Sequence, residues 1–287
     1  MTRPIASRTY DDGRDRWSVA TAPPAPALGD WVDRYSWWSE RTESFTTRRE
    51  LAGTTGVLIL NLGSDLEIVD ARGVSHRLAA GEGFAGGIAC ATSLSRSTGP
   101  MAGVHVHLPV DRLAALLGTS QAALTDRCFT LGDLLGSDAE RLGDRMTTAS
   151  GHEARWQVLD GFLAGRAAVA RATDGALDRA LALARDRLRR RRRVEQVAAD
   201  LGWSRKRLAR RFRDAIGLHP RSFAGLARFE RFAHALQADP AASLAHAAVD
   251  AGFADQAHLS REVARYAGLT PSALRARLIP DGGGVRE

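Results

Sequence analysis

Two histidines in the first half of the sequence have a spacing that suits metal chemistry. His105 and His107 lie two residues apart in a β-branched stretch, so on a strand both side chains point to one face. Neutral imidazole is a common metal ligand, and His76 and Glu82 are further candidates. The pair alone does not complete a ligand set, so two strand histidines without a metal are the simpler interpretation. A cupin-like metal-dependent enzyme or metal sensor is the alternative.

The remaining reactive side chains form no catalytic pattern. The sequence contains no Ser-His-Asp motif, phosphate-binding loop or dinucleotide fingerprint. Its two cysteines, Cys90 and Cys128, have neither CxxC nor Cys/His finger spacing, so we expect no disulfide framework and no structural zinc. We therefore predict a protein without enzymatic activity, metal or cofactor, in the reducing cytoplasm.

Basic side chains concentrate in the last third of the 287 residues. Residues 176–287 contain 22 Lys and Arg against 12 Asp and Glu, a net charge of +10, whereas residues 1–175 carry −3. Such an asymmetry indicates a nucleic-acid-binding module joined to a different domain. No run of about 18 apolar residues is present, so we expect neither a membrane-spanning helix nor a membrane partner.

The basic third repeats itself. Residues 198–203 match residues 248–253 at an offset of 50. After one inserted residue, Leu208 and Phe212 correspond to Leu259 and Val263 at an offset of 51. Two copies of one supersecondary unit are therefore in tandem. Between them, the helical period of apolar residues over 220–237 predicts a long connecting helix.

The first copy has the pattern of a helix, a glycine turn and a second helix. Gly202 tolerates the left-handed conformation that ends a helix, and Ser204 is a suitable N-cap for the next one. Leu208 and Phe212 form the buried face of that second helix. Its other faces carry Arg205, Lys206, Ala209, Arg210 and Arg213. This order with a basic exposed face is typical of a helix-turn-helix.

The second copy follows the same plan. Gly252 makes the turn, Asp255 caps the next helix, and Pro271 after Thr270 begins the last one. The outer surface of the second unit carries Gln256, Ala257, His258, Ser260 and Arg261.

These motifs resemble the DNA-binding domain of the AraC/XylS family. The segments that resemble the first half of that domain are GWSRKRLARRF at 202–212, GLHP at 217–220 and RFER at 228–231. Those that resemble the second half are AGFADQAHLSR at 251–261 and AGLTPSALR at 267–275. One departure is Val263, where the family usually has phenylalanine. The resemblance implies base contacts from Lys206, Ala209 and Arg210 in the first copy, base contacts from Gln256, Ala257, His258 and Arg261 in the second, and phosphate contacts from Arg205 and Arg213.

The front half reads as a small β-rich domain followed by helices. Short strands are predicted at 57–62, 66–69 and 104–108, bounded by glycine turns, which suggests a sandwich or barrel. An apolar stripe follows at Trp156, Leu159, Phe162 and Leu163, and it serves either the core or a dimer face. Full-length AraC/XylS members have a cupin-like first domain that binds an effector, dimerises, or both.

We therefore predict an α+β chain with two domains that meet near Thr173. Residues 1–172 form an N-terminal cupin-like barrel with helices, for sensing or dimerisation, and residues 173–287 form an all-α tandem helix-turn-helix domain.

Two features leave alternatives open. The aromatic cluster of Trp31, Tyr35, Trp37 and Trp38 lines a pocket or is core, and the basic run of Arg185, Arg187 and 189–193 contacts phosphates or is a solvated face.

The function expected from this organisation is a sequence-specific transcription regulator. Its partners are double-stranded promoter DNA, a small-molecule effector in the first domain, a second copy of the chain in a homodimer, and RNA polymerase if it is an activator. Two rival hypotheses remain: the metal-dependent enzyme or sensor, and a regulator controlled by a partner protein or by its own abundance.

Overall fold

A computed structural model of the chain describes residues 3–171, 176–279 and 284–287. The strands are β1 Ala6–Asp11, β2 Arg16–Ala22, β3 Arg34–Arg41, β4 Thr47–Glu50, β5 Thr55–Asn61, β6 Leu66–Val69, β7 Ser75–Leu78, β8 Gly83–Gly86, β9 Ser93–Ser97, β10 Met101–Pro109, β11 Cys128–Thr130 and β12 Val285–Arg286. The helices are α1 Val110–Leu117, α2 Gln121–Leu124, α3 Leu131–Leu135, α4 Ser137–Thr148, α5 Gly151–Arg171, α6 Ala176–Arg189, α7 Val194–Asp200, α8 Arg205–Ile216, α9 Pro220–Ala238, α10 Leu244–Ala251, α11 Gln256–Ala267 and α12 Pro271–Arg277.

Two antiparallel sheets make up the β-rich part. The larger has the order β1-β2-β3-β10-β5-β8-β11, and the smaller has the order β12-β4-β9-β6-β7. The predicted strands at 57–62, 66–69 and 104–108 correspond to β5, β6 and β10, and the α+β class is confirmed. The sheets do not close into one hydrogen-bonded barrel, because β1 and β11 end the larger sheet and β12 and β7 end the smaller one.

The first hydrophobic core lies on one face of the larger sheet. Alternate residues of β5 and β10 point to this face, where helices α1 and α5 cover them. Trp156 and Leu163 of α5 are fully buried there, and the Trp156 ring stacks on Tyr35 of β3 with 5.4 Å between ring centres. The apolar stripe of α5 therefore belongs to the core and is not an exposed dimer face.

The second core belongs to the C-terminal helices. The connecting helix α9 runs through its centre, as the periodicity predicts, and buries Phe223, Phe229 and Phe232 completely. Phe212 of α8 meets Phe223 edge-on, with ring centres 5.3 Å apart. The helix therefore ties both repeat units to one core.

The two parts of the chain share an apolar junction. Ala52, Ile88 and Val110 of the N-terminal part pack into the same cluster as the C-terminal core. The last strand β12 returns to pair with β4, so the end of the chain completes a sheet of the N-terminal part. The predicted domain boundary near Thr173 lies outside the described residues.

No helix in the described part of the chain is both long and apolar enough to cross a membrane.

Candidate nucleic-acid interface

The first helix-turn-helix unit has the local geometry that its residues predict. Helix α7 ends before Gly202, whose φ of +64° lies in the left-handed region that glycine adopts at little cost. The Ser204 hydroxyl then accepts a hydrogen bond from the Arg207 backbone N–H at 3.2 Å and caps α8. Inside α8, Leu208 and Phe212 are fully buried, so the opposite face of the helix is turned outward.

That outward face is strongly basic. Arg205, Lys206, Arg210 and Arg213 are exposed, and Ala209 is half-buried among them. All of these side chains except Arg205 border a groove of about 450 Å³ at the junction of α8 with the start of α9. Its lining consists of Ser204, Lys206, Arg207, Ala209, Arg210, Arg213 and His219. The five residues predicted in this copy therefore lie together on one accessible surface.

The second unit repeats this geometry with fewer charges. Gly252 has a φ of +96°, and the Asp255 carboxylate accepts a hydrogen bond from the His258 backbone N–H at 2.7 Å, which caps α11. Gln256, Ala257 and Arg261 are exposed on the outer face. These three predicted residues lie in the N-terminal half of α11, where Ala257 and Arg261 are four residues apart and share one face of the helix.

His258 occupies a different environment from the other predicted residues. Its Nε2 lies 2.8 Å from Nη1 of Arg228, and the Glu262 carboxylate approaches the same imidazole nitrogen at 3.6 Å. Only 28% of the His258 side chain is exposed. The side chain is therefore held against the connecting helix in this conformation and is only partly accessible to solvent.

Arg228 makes contacts that its place in the sequence does not predict. It projects from α9, lies over the Phe253 ring at 5.5 Å and reaches Glu262 of α11 at 3.4 Å. It thereby links α9 to α11 through Glu262 and His258. The available signal was its position in the RFER segment at 228–231, but the contact joins residues about 30 positions apart and has no local pattern.

The basic run before α7 does not form one solvated or phosphate-facing surface. Arg185 is buried and forms an ion pair with Asp111 of α1. Arg187 pairs with Asp200 at 2.5 Å. The interpretation of Arg185 as a phosphate contact or a solvated side chain is therefore wrong, because its guanidinium group is buried against a carboxylate of the chain itself. Arg187 is paired but remains 31% exposed, so its contact with phosphate stays a prediction. Arg190 to Arg193 remain exposed, although Arg191 donates a hydrogen bond to the Asp250 backbone carbonyl of the second unit at 3.1 Å.

A separate cavity lies between the two sheets. It has a volume of about 810 Å³, and its walls include the inward faces of both sheets and one side of α9. His105 and His107 of β10 line it with their rings stacked 3.7 Å apart, and His107 Nε2 lies 3.0 Å from the Ser36 hydroxyl. Burial, with the nearby Arg34 charge, lowers the pKa of His105 to about 3, so its imidazole is neutral at pH 7.

The structure does not assemble the proposed metal ligands. His76 on β7 and Glu82 are absent from the cavity wall, and the Glu82 carboxylate accepts a hydrogen bond from the Ala79 backbone N–H at 2.8 Å. In the described residues, no three His, Cys, Asp or Glu side chains are grouped to hold a metal ion.

Aromatic residues and cysteines near the cavity are mainly structural. Trp31 and Tyr35 belong to the first core, whereas Trp38 lines the cavity.

Burial raises the pKa of Cys90 to about 11 and that of Cys128 to about 12, so neither thiol is reactive at neutral pH.

Acidification is expected to destabilise the N-terminal part through His105. The unfolded chain takes up a proton near pH 6.5, whereas the folded imidazole does so only near pH 3, so the free energy of unfolding decreases as the pH falls below 6.5. By pH 5 the loss is about 2 kcal/mol. Urea unfolding at pH 7 and pH 5 measures it. We expect His105→Gln to reduce this pH dependence. The control His246→Gln replaces an exposed histidine and should leave it unchanged. Equal pH dependence in the wild type and both variants would contradict the role of His105.

Comparisons with known proteins agree with this geometry. Residues 197–277 match a family described as a helix-turn-helix domain. ToxT from Vibrio cholerae aligns with a TM-score of 0.51 and 13% identity, over 84% of this chain and 98% of that chain. An apo variant of ToxT from the same organism aligns with a TM-score of 0.50 and 15% identity, over 84% and 97%. Among curated proteins, none matches the sequence significantly.

The likeness to ToxT shows a shared fold that includes both parts of the chain. Within that fold, the family match identifies residues 197–277 as a helix-turn-helix domain. The matched residues include most of the tandem repeat, so the resemblance of these motifs to the helix-turn-helix domain of the AraC/XylS family is confirmed.

Proposed function

We propose that this chain is a transcription regulator of the AraC/XylS type, and that it reads two successive major grooves of double-stranded promoter DNA with α8 and α11. The observation that carries the proposal is the cluster of exposed basic side chains on the outward face of α8, opposite the fully buried Leu208 and Phe212. Because α8 and α11 both pack on α9, one rigid helix holds both recognition helices. Successive major grooves on one DNA face are about 34 Å apart, so two such helices address adjacent half-sites.

The proposed contacts divide into base and phosphate contacts. In the first unit Arg210 and Lys206 reach guanine edges, Ala209 contacts a base or its methyl group, and Arg205 and Arg213 bind phosphates. In the second unit Gln256 pairs with adenine, while Ala257 and Arg261 complete the reading surface. His258 joins this set only when its contact with Arg228 is released, so we assign it the smallest contribution.

The two units contribute unequally to affinity in this proposal. Helix α8 carries six basic residues and one acidic residue, whereas α11 carries two basic residues and one acidic residue. Phosphate neutralisation supplies most of the sequence-independent binding energy and falls with added salt. The first unit therefore anchors the protein, and the second adds mainly sequence discrimination.

A small-molecule effector in the cavity completes the proposal. A volume of about 810 Å³ lies within the range of about 300–1,000 Å³ typical of ligand pockets. The wall formed by α9 places any occupant against the helix that carries both recognition helices. A cytoplasmic homodimer, with contact to RNA polymerase where the protein activates, remains part of this proposal.

The test of DNA reading is a selection of genomic fragments bound by the purified full-length protein at two salt concentrations. We expect a recurring motif with two half-sites about one helical turn apart. Retention of fragments without any shared motif, lost at the higher salt, would contradict sequence-specific reading.

The test of the effector is a thermal-shift screen of small molecules against the wild type and a cavity-filled variant. Ile59 lines the cavity from β5, so Ile59→Trp reduces the available volume. We expect compounds that raise the melting temperature of the wild type and not that of Ile59→Trp. Stabilisation of both proteins by the same compounds would place binding elsewhere.

A further inference from the structure

Strand β4 presents its two faces to different parts of the protein. Arg48 and Glu50 line the cavity between the sheets. Arg49 lies between them, and on a strand the middle side chain points the opposite way. Its Nη1 donates a hydrogen bond to the backbone carbonyl of Ala267 at 3.0 Å. A four-residue strand therefore contacts the cavity on one side and the second helix-turn-helix unit on the other.

The contact with Ala267 is made at a helix end. Ala267 is the last residue of the second recognition helix α11, and Gly268 follows with a φ of +67°. The last carbonyls of a helix lack intrahelical partners and carry partial negative charge, so a guanidinium donor is favourable there. Arg49 thus caps the second recognition helix from the N-terminal part of the chain.

The end of the chain reinforces the same contact. Val285 is fully buried and pairs with Arg49 across the β12–β4 ladder, and the Glu287 backbone N–H donates to the Thr47 carbonyl at 3.2 Å. The Glu287 carboxylate also forms an ion pair with Arg49. Because Leu278 bridges to Val285 directly after α12, the last helix is tied to β4 as well.

The first unit is attached in a different way. Gly217, at the end of α8, lies against α2, so closely that a Cβ there would be 2.5 Å from the Thr125 hydroxyl. Neither β4 nor β12 takes part in this contact. The two recognition helices therefore have separate attachments to the N-terminal part.

We propose that Arg49, β4 and β12 form an interdomain clamp that fixes the second helix-turn-helix unit and transmits the state of the cavity to it. The transmission step rests on the proposed function, since it requires a cavity ligand and DNA reading. A ligand that displaces Arg48 or Glu50 moves the same strand that caps α11. The clamp thus regulates the second half-site, while the first unit keeps its own attachment.

The clamp is tested by hydrogen exchange on the full-length protein without DNA. Arg49→Ala removes the cap and the ion pair, and Glu287→Gln weakens the ion pair alone. We expect amides of α11 and α12 to exchange about tenfold faster in Arg49→Ala, a smaller increase in Glu287→Gln, and unchanged exchange in α8. The matched control is Arg77→Ala, which removes an exposed arginine from β7 of the same sheet. Unchanged exchange in α11 and α12, or an equal increase in α8, would overturn the clamp.

The regulatory role is tested on the selected DNA sites. Arg49→Ala should lose most of the preference for a fragment with both half-sites over one whose second half-site is scrambled, while its binding to the first half-site stays at the wild-type level. An intact preference would overturn the role of the clamp in reading. If the wild type itself shows no sequence preference, the proposed function fails, while the exchange experiment still decides whether the clamp exists.

Discussion

Replacing Arg185 by alanine is expected to lower the free energy of unfolding by about 3–5 kcal/mol. Arg185 of α6 is buried against Asp111 of α1, whose carboxylate side chain is only 16% exposed. Removing the guanidinium leaves that carboxylate with little solvent and without its partner. The cost is that of an uncompensated charge, which is larger than the net value of the pair itself.

Urea unfolding at neutral pH measures this loss. The control is Arg190→Ala, which removes an exposed arginine of the same run and should change stability by less than about 0.5 kcal/mol. The double variant Arg185→Met with Asp111→Leu should recover most of the stability, because an apolar pair of similar volume avoids both buried charges. If Arg185→Ala unfolded at the same urea concentration as the wild type and bound DNA more weakly, the structural role would be wrong. Arg185 would then be a phosphate contact.

Replacing Arg210 by alanine is expected to cost about 1–3 kcal/mol of specific DNA-binding energy and to relax discrimination at one base pair. Arg210 is exposed on the outward face of α8, so its loss should leave the fold intact. A bidentate contact with guanine is made at a single position, and its removal therefore affects one column of the recognition motif more than the others.

The measurement is a binding titration against the selected site and its single-base variants. Arg213→Ala on the same helix is the matched control, because we assign it to phosphate. It should weaken binding to all sequences equally and reduce the salt slope by about one unit. Should Arg210→Ala also act uniformly across sequences, its assignment to a base edge would be wrong.

Much of the C-terminal part follows from local sequence. The helical period of apolar residues, the glycine turn at Gly202 and the caps at Ser204 and Asp255 all appear in the structure where they were expected. The same holds for Thr270, which caps the helix that Pro271 begins. These features depend on interactions within about four residues, so the order of residues suffices to predict them.

The character of the candidate surface was also determined locally. The apolar residues of α8 share one face of the helix by its periodicity, so the basic residues occupy the other face. Arg210 and Lys206 lie on this basic face. Similarly, His105 and His107 share one face because a strand alternates. Which base each side chain contacts is not determined by this periodicity and remains a prediction.

Only the tertiary structure decided which charges remain available and which parts of the chain meet. Arg185 and Arg210 look alike in sequence, yet one is buried against Asp111 and the other faces solvent. The enclosure of the cavity by α9, the Arg228–His258 contact and the return of β12 to β4 join residues 30 to more than 200 positions apart. Such contacts depend on how whole elements pack, and periodicity within one element contains no information about the partner it will meet.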